Sequence, residues 1–349
     1  MRDSTCLLSI LLITAGCGDG APTAPKDDAG TLSCPLGTDF NSELDACLRR
    51  CAAPSAAVLP AVTPGTRLTF RTTTNGAVEV GSASAPDASE PDAWLPGPDL
   101  LLDCQPPCSV KVFGRDPACS DAPRFEQVYE VTESLGPAAG APGSDAVPKE
   151  DVRILGWATG WVDPIEFGSD IDDAQWKDPQ KALGPAQGDT LDVLVLGNGG
   201  RAVLTFDPPI ANGPGPELAV FENAFNDTFL ELAFLEVSSD GEHFARFDSL
   251  SLGTAPSAST VDPTTLAGLG GKYRAGFGTP FDLDWLRYQP LVASGVVNLG
   301  AIRFVRVADI VGDGSGFDSF GHPIYDPTPT VGTGGFDLDA VAVLRSGGQ

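Results

Sequence analysis

Basic residues are scarce in this chain: 21 Lys and Arg stand against 47 Asp and Glu, a formal net charge of −26 over 349 residues. Such a surface repels phosphate backbones and anionic lipid headgroups, which excludes nucleic acid as a partner. Histidine is nearly absent, with only His243 and His322. A Ser–His–Asp arrangement would have to rest on one of these two, and no serine stands in a nucleophile-elbow sequence. His243 sits beside Phe244 in a hairpin and His322 in the Gly/Pro loop Gly321-His-Pro-Ile-Tyr-Asp, contexts that suit packed turns. Helical periodicity is missing almost throughout; Thr264–Leu269 and Asp282–Arg287 offer at most single turns. Beyond the first apolar run, no stretch is long enough to cross a bilayer.

That first run, Leu7 to Ile13 behind Arg2, is too short to span a membrane and suits a signal segment. It leads into Thr14-Ala-Gly-Cys17, which resembles a bacterial lipobox. The small residues Ala15 and Gly16 would admit a peptidase, and Cys17 would become the lipidated N-terminus. Gly18 after the cysteine implies, by the same resemblance, outer-membrane sorting. The expectation is a bacterial lipoprotein of the outer membrane, cell surface or periplasm, touching the membrane through its N-terminal lipid only.

Setting aside Cys6 and Cys17 leaves Cys34, Cys47, Cys51, Cys104, Cys108 and Cys119. Six cysteines in an exported chain read as three disulfides, with fifteen possible connectivities. They fall in two groups of three, so if all pair, at least one bridge must join the groups. A zinc site is disfavoured because Cys104-x-x-x-Cys108 lacks a matching pair or a nearby histidine.

The punctuation of the chain suggests its organisation. Residues 1–17 read as the signal with lipobox, 18–33 as a Pro-rich tether, and 34–56 as a Cys-rich knot. Residues 57–133 alternate strand-like runs with Pro/Gly/Ser turns and read as a small β-sandwich, 134–150 as a linker, and 151–349 as a large all-β domain. In the last, strands are expected at Leu191–Leu196, Arg201–Asp207, Glu217–Glu222, Leu230–Ser238, His243–Asp248, Ala301–Ala308 and Phe336–Arg345. Ser239-Asp-Gly-Glu supplies a hairpin turn. In the closing strand Phe336, Leu338, Ala340, Ala342 and Leu344 should share one face and Asp337 and Asp339 the other. Gly197-Asn-Gly-Gly-Arg-Ala202 fits a dinucleotide fingerprint, but Val203-Leu-Thr-Phe continues it as a strand and offers no helix N-terminus for a phosphate. Gly270-Gly-Lys-Tyr lacks the Ser or Thr that a phosphate-binding loop needs after Lys.

The fold class is therefore all-β: a C-terminal antiparallel sandwich of jelly-roll type preceded by a small disulfide-linked β-sandwich. The small sandwich resembles the immunoglobulin-like or chitobiase-type accessory modules of bacterial surface proteins. From Trp176 onward the chain is similar to galactose-binding-like jelly rolls of bacterial cell-surface proteins. The matching phrases are Asp178-Pro-Gln-Lys-Ala-Leu-Gly, Leu196-Gly-Asn-Gly-Gly, Glu217-Leu-Ala-Val-Phe-Glu-Asn, Glu236-Val-Ser-Ser-Asp-Gly and Gly335-Phe-Asp-Leu-Asp-Ala-Val.

Calcium is the metal that the acidic strand ends suggest, since it takes six to eight oxygens from carboxylates, amides and carbonyls. The resemblance implies a structural Ca²⁺ tying the early part of the domain to the last strand, with Glu222 paired to Asp337 or Asp339. Asn223 adjoins Glu222, and Asp309 and Asp313 belong to a second oxygen-rich turn that is not an EF-hand. Among the turn-rich aromatics Trp157, Trp161, Trp176, Phe225, Tyr273, Phe277 and Tyr325, the choices for a ligand surface are Phe225 and Tyr273. The function expected is non-catalytic binding or adhesion at the cell surface, toward a glycan or surface polymer. A purely structural envelope role and a carboxylate-dependent glycoside hydrolase are the alternatives. A binder predicts a groove with aromatic rings beside polar side chains.

Overall fold

The computed structural model describes residues 34, 37–49, 51–72, 77–119, 123–169, 171, 173–188, 191–254, 260–328 and 334–345. The lipobox with Cys17 and the tether lie outside the described residues. The described chain is almost wholly β, built from antiparallel pairings.

Two sheets face each other across the main core. One places the closing strand Asp337–Leu344 between Ile154–Trp157 and Leu218–Glu222, followed by Phe277–Phe281 and the short Val147–Pro148, with Leu194–Val195 also pairing to the closing strand. The other runs Gly160–Trp161, Arg201–Ile210, Ile302–Asp309, Ala233–Ser238, Ala245–Arg246. Leu204, Leu235, Val305 and Val307 from the second sheet meet Val220, Phe281, Leu338 and Val341 from the first. Alternation explains this: in Ile302–Asp309 the buried residues Val305, Val307 and Asp309 recur at every second place, as one face of a strand requires. The segment expected to be a linker contributes Val147–Pro148 to the first sheet, and Ala46 and Leu48 of the Cys-rich segment reach into the main core.

Residues 66–131 form a second, smaller unit. Thr66–Thr69 pairs with Asp99–Leu102, while Leu95–Pro96, Glu79–Ala83, Cys108–Arg115 and Phe125–Val131 make a four-stranded sheet. Val62, Leu68, Phe70, Phe125 and Tyr129 fill its core, which continues into Leu250 and Ala267 of the large domain. Disulfides join Cys34–Cys47, Cys51–Cys119 and Cys104–Cys108. The Cys51–Cys119 bridge is the one that links the two groups of cysteines.

The closing strand departs from its expected alternation. Phe221 pairs with Ala340 and Glu222 with Leu338, so Asp339 is an extra residue in the ladder, a β-bulge. The bulge reverses which residues face inward. Phe336, Leu338 and Val341 enter the core between the sheets, whereas Ala340, Ala342 and Leu344 pack outside against Ala219, Phe221 and Trp157. The run read as one face is thus divided between two.

The Gly-rich segment is a turn between strands of opposite sheets, from Leu194–Val195 to Arg201–Ile210. It leads into a strand, not a helix. The expected single turns are met by 3₁₀ helices at Pro263–Thr265, with Leu266–Ala267 already a strand, and at Leu283–Leu286; a four-residue α-helix at Pro290–Ala293 was not expected.

Candidate functional site

At one end of the large sandwich three carboxylates converge. Glu222 ends the strand Leu218–Glu222, Asp337 begins the closing strand beside it, and Glu231 lies just before Ala233–Ser238 of the opposite sheet. One ligand oxygen from each lies within 4.8 Å of the others. Glu222 is 1 % exposed and Glu231 6 %. Glu222 also accepts the Ala224 N–H at 2.7 Å, which turns the chain out of its strand.

Burial raises the Glu222 carboxyl well above its ordinary range, and the neighbouring Glu231 and Asp337 add to it. Burial also pushes Asp337 up, to about 7, against a hydrogen bond from Asn223 and with further repulsion from Asp309. Asp337 Oδ1 is buried with no hydrogen-bond partner. Three carboxylates packed this way cannot all ionise without a countercharge.

A divalent cation would supply that charge, and the three carboxylates could hold one. Calcium–oxygen distances of roughly 2.3–2.6 Å put two ligand oxygens at most about 5 Å apart, and the three carboxylates meet that limit. All are hard oxygens, and the buried Asn223 adjoins them. Water and backbone carbonyls would have to complete the six to eight oxygens that calcium takes.

The remaining acidic residues named from sequence stand elsewhere. Asp309 is a backbone clamp: Oδ2 accepts Gly199 N–H at 2.6 Å and Oδ1 accepts Phe336 N–H at 2.7 Å, stitching the Gly-rich turn to the closing strand. The approach is tight enough that a Cβ on Gly335, whose φ is +80°, would lie 2.8 Å from Asp309 Oδ1. Asp339, the bulge residue, accepts Gln187 N–H and Gly188 N–H, both at 2.9 Å. Asp313 is exposed and accepts Ser315 N–H within its own hairpin. None of these three belongs to the carboxylate group around Glu222.

Glu231 does not stand out in the sequence. Its signal is a lone acid inside the apolar run Phe229-Leu-Glu-Leu-Ala, which a strand reading absorbs without comment.

Of the two aromatics expected on a binding surface, Phe225 is 73 % exposed and lies 6.3 Å from Phe229, ring to ring. Tyr273 corrects the expectation: it is 1 % exposed and its hydroxyl donates to Asp145, so it is a core residue. Both histidines are held in turns. His243 Nδ1 meets Asp240 at 2.8 Å and Nε2 meets the Asp45 carbonyl at 3.1 Å, while His322 Nδ1 meets the buried Asp318 at 3.0 Å.

A groove of about 740 Å³ opens between the two sandwiches. One wall is Phe125–Val131, the edge strand of the small sheet; the other is the turn Leu283–Leu286 with Arg287 and Tyr288. The strand's edge is satisfied by side chains from across the groove. Tyr288 Oη accepts Glu126 N–H at 2.9 Å and donates to the Glu126 carbonyl, and Arg287 donates to that carbonyl at 2.7 Å and to Gln127 at 2.9 Å.

Arg287 also pairs with Asp284, and Lys111 and Arg124 both pair with Glu126. Burial raises the Glu126 carboxyl, yet the hydrogen bonds from Arg124 and Lys111 outweigh it and hold the group below its usual range. Half-buried Trp285 and Tyr288 add aromatic surface. Neither ring is marked by the sequence, where Asp282–Arg287 reads only as a turn.

No family model matches the chain, and no curated protein matches it. Among solved structures it is similar to one described under the structural basis for the promiscuous specificity of carbohydrate-binding modules of the β-sandwich superfamily. That likeness has 12 % identity, covers 74 % of this chain and 92 % of that one, and has a TM-score of 0.19. A SusE-like protein is similar at 8 % identity over 84 % of this chain and 97 % of that one, with a TM-score of 0.21. At such TM-scores neither likeness bears on what this chain binds.

Proposed function

We propose that this chain is a non-catalytic glycan-binding protein of the bacterial cell surface, lipid-anchored at Cys17, with calcium as a structural ion at Glu222, Glu231 and Asp337. The groove between the sandwiches carries the reading. Trp285 and Tyr288 bring apolar ring surface beside Gln127, Arg287, Asp284 and Glu126, the mixture that a sugar's apolar face and paired hydroxyls require. Its volume falls within the range of small-molecule sites, roughly 300–1,000 Å³.

Binding is favoured over acid–base chemistry because Glu126 and Asp284 are tied up in ion pairs with Lys111, Arg124 and Arg287. A general acid needs a carboxyl kept protonated, and Glu126 is held the other way. Among the described residues no helix is long and apolar enough to cross a membrane, and the lipid is the anchor this reading invokes.

A glycan array probed with the protein lacking residues 1–17 tests the reading. Binding to at least one oligosaccharide class is expected, and Asp284→Ala, a change at a half-exposed side chain, should weaken that binding about tenfold or more. Silence across the array, or unchanged binding by Asp284→Ala, would remove the groove as the ligand site.

A further inference from the structure

The junction of the two sandwiches holds a second cavity, of about 290 Å³. Gln289, which lines it, directly follows Tyr288 of the groove described above, so one short segment borders both spaces. One wall is the chain entering the small unit, where Ser55 and Arg71 exchange backbone hydrogen bonds of 2.8 Å in both directions. The buried Tyr129 hydroxyl donates to the Ala57 carbonyl at 2.6 Å and holds that wall to the small core. Asp248, Gln289 and residues 318–320 of the large domain form the other wall.

The polar groups of this cavity divide into engaged and open ones. Asp318 is saturated: Oδ1 accepts Phe320 N–H at 2.9 Å and His322 N–H at 2.8 Å, while Oδ2 accepts Ser251 N–H at 2.8 Å and meets His322 Nδ1 at 3.0 Å. Asp248 Oδ2 accepts Val58 N–H and Gln289 Nε2. That contact fixes the Gln289 amide, whose Oε1 has no donor among the described residues. Arg71 is exposed. Other guanidinium groups stand on carboxylates, as Arg115 does on Glu79 and Arg306 on Glu236, but among the described residues none lies within ion-pair reach of Arg71. Half-buried Phe320, its ring stacked on His322 at 6.3 Å between centroids, adds an apolar face.

We propose that this cavity binds a single neutral pyranose ring, with Arg71 donating to hydroxyl oxygens, Gln289 Oε1 accepting a hydroxyl proton and Phe320 covering an apolar face of the ring. A sugar hydroxyl both donates and accepts, so neighbouring hydroxyls need a donor and an acceptor together. The volume corresponds to about ten waters at roughly 30 Å³ each, room for one ring and not for a chain. Charge selects the neutral class. Arg71 brings one positive charge, and Asp248 and Asp318 bring two carboxyls, so a ligand carboxylate would add to an acidic site in a chain of net charge −26. A cationic sugar would meet Arg71 while the Asp318 oxygens are already taken. The site adds a second sugar position to the glycan reading and does not depend on the groove.

NMR titration of the lipid-free protein with glucose, galactose and mannose, each beside its uronate, tests the site. At least one hexose should bind with a dissociation constant on the order of 1 mM, more tightly than its uronate. Arg71→Ala, a change at an exposed side chain, should weaken that binding about tenfold or more without lowering the melting temperature, and Asp284→Ala in the groove should leave it unaltered. If a hexose binds and Arg71→Ala does not weaken it, this site is wrong; loss of the same binding in Asp284→Ala would then assign it to the groove. Tighter binding of a uronate than of its hexose would overturn the neutral class. If none of the three hexoses binds, the cavity is not a sugar site, and the groove reading stands or falls on the glycan array alone.

Discussion

Single residues set the chemistry of this molecule, and Asp248 shows how. Its Oδ2 accepts Val58 N–H at 3.0 Å and Gln289 at 3.2 Å, which ties the chain entering the small sandwich to the large one. Burial pushes its carboxyl up from 3.8 to about 6, against those hydrogen bonds. Between roughly pH 4 and 6 the folded protein keeps a proton that the unfolded chain has lost, so this group's contribution to stability falls as pH rises through that window. Asp248→Asn keeps an acceptor for Val58 and removes the titration. Urea unfolding between pH 4 and 7 should then show a flatter dependence for the variant, and parallel curves would contradict the assignment. Glu222 and Asp337 were legible in the sequence because they sit at strand ends beside turn residues. Glu231 was not, because burial decided its role, and an acid within an apolar run reads as an edge residue until the fold places it.

Among the elements, the closing strand carries the account. Its position and antiparallel pairing could be read from Phe336-Asp-Leu-Asp-Ala-Val-Ala-Val-Leu, but its facing could not. Period-2 reasoning assumes an unbroken ladder, and the extra residue at Asp339 breaks it. The bulge is held by its own side chain, whose two oxygens take up Gln187 N–H and Gly188 N–H. Asp339→Ala would strand the buried Gly188 N–H, at a cost of about 1–3 kcal/mol, and leave the N–H of exposed Gln187 to water. The expected result is a loss of about 1–3 kcal/mol in chemical denaturation; a loss under about 0.5 kcal/mol would mean that the bulge does not depend on this contact. The strands Arg201–Ile210, Leu218–Glu222 and Ile302–Asp309 lie within a few residues of their expected limits, since each has a clear apolar run between Gly, Pro or Asn signals. Phe277–Phe281 was not legible, because Gly278 and Pro280 mark it as a turn by composition. Its place in the sheet comes from pairing with Leu218–Glu222.

On the scale of the whole molecule, the two sandwiches and the Cys-rich segment act as a joined structure. Ala46 and Leu48 enter the main core, Leu250 and Ala267 enter the small one, and Cys51–Cys119 ties the N-terminal segment to the small unit. The sequence divided these regions by composition, and composition is silent about packing across a boundary. The groove arises from that packing, since its two walls are about 160 residues apart in the chain, as the Glu126–Tyr288 contact shows by its separation of 162. In the large sandwich three carboxylates from strand ends of both sheets converge, and the account depends most on a cation there. Thermal melting of the lipid-free protein with excess calcium and with chelator tests it directly, with Glu231→Gln as control. At a hundredfold excess over its dissociation constant, calcium should add about 2.7 kcal/mol, roughly 5 °C or more in melting temperature at 2–4 °C per kcal/mol. Glu231→Gln should show no calcium-dependent rise. Superimposable melting curves for the unaltered protein in calcium and in chelator would contradict the cation centre.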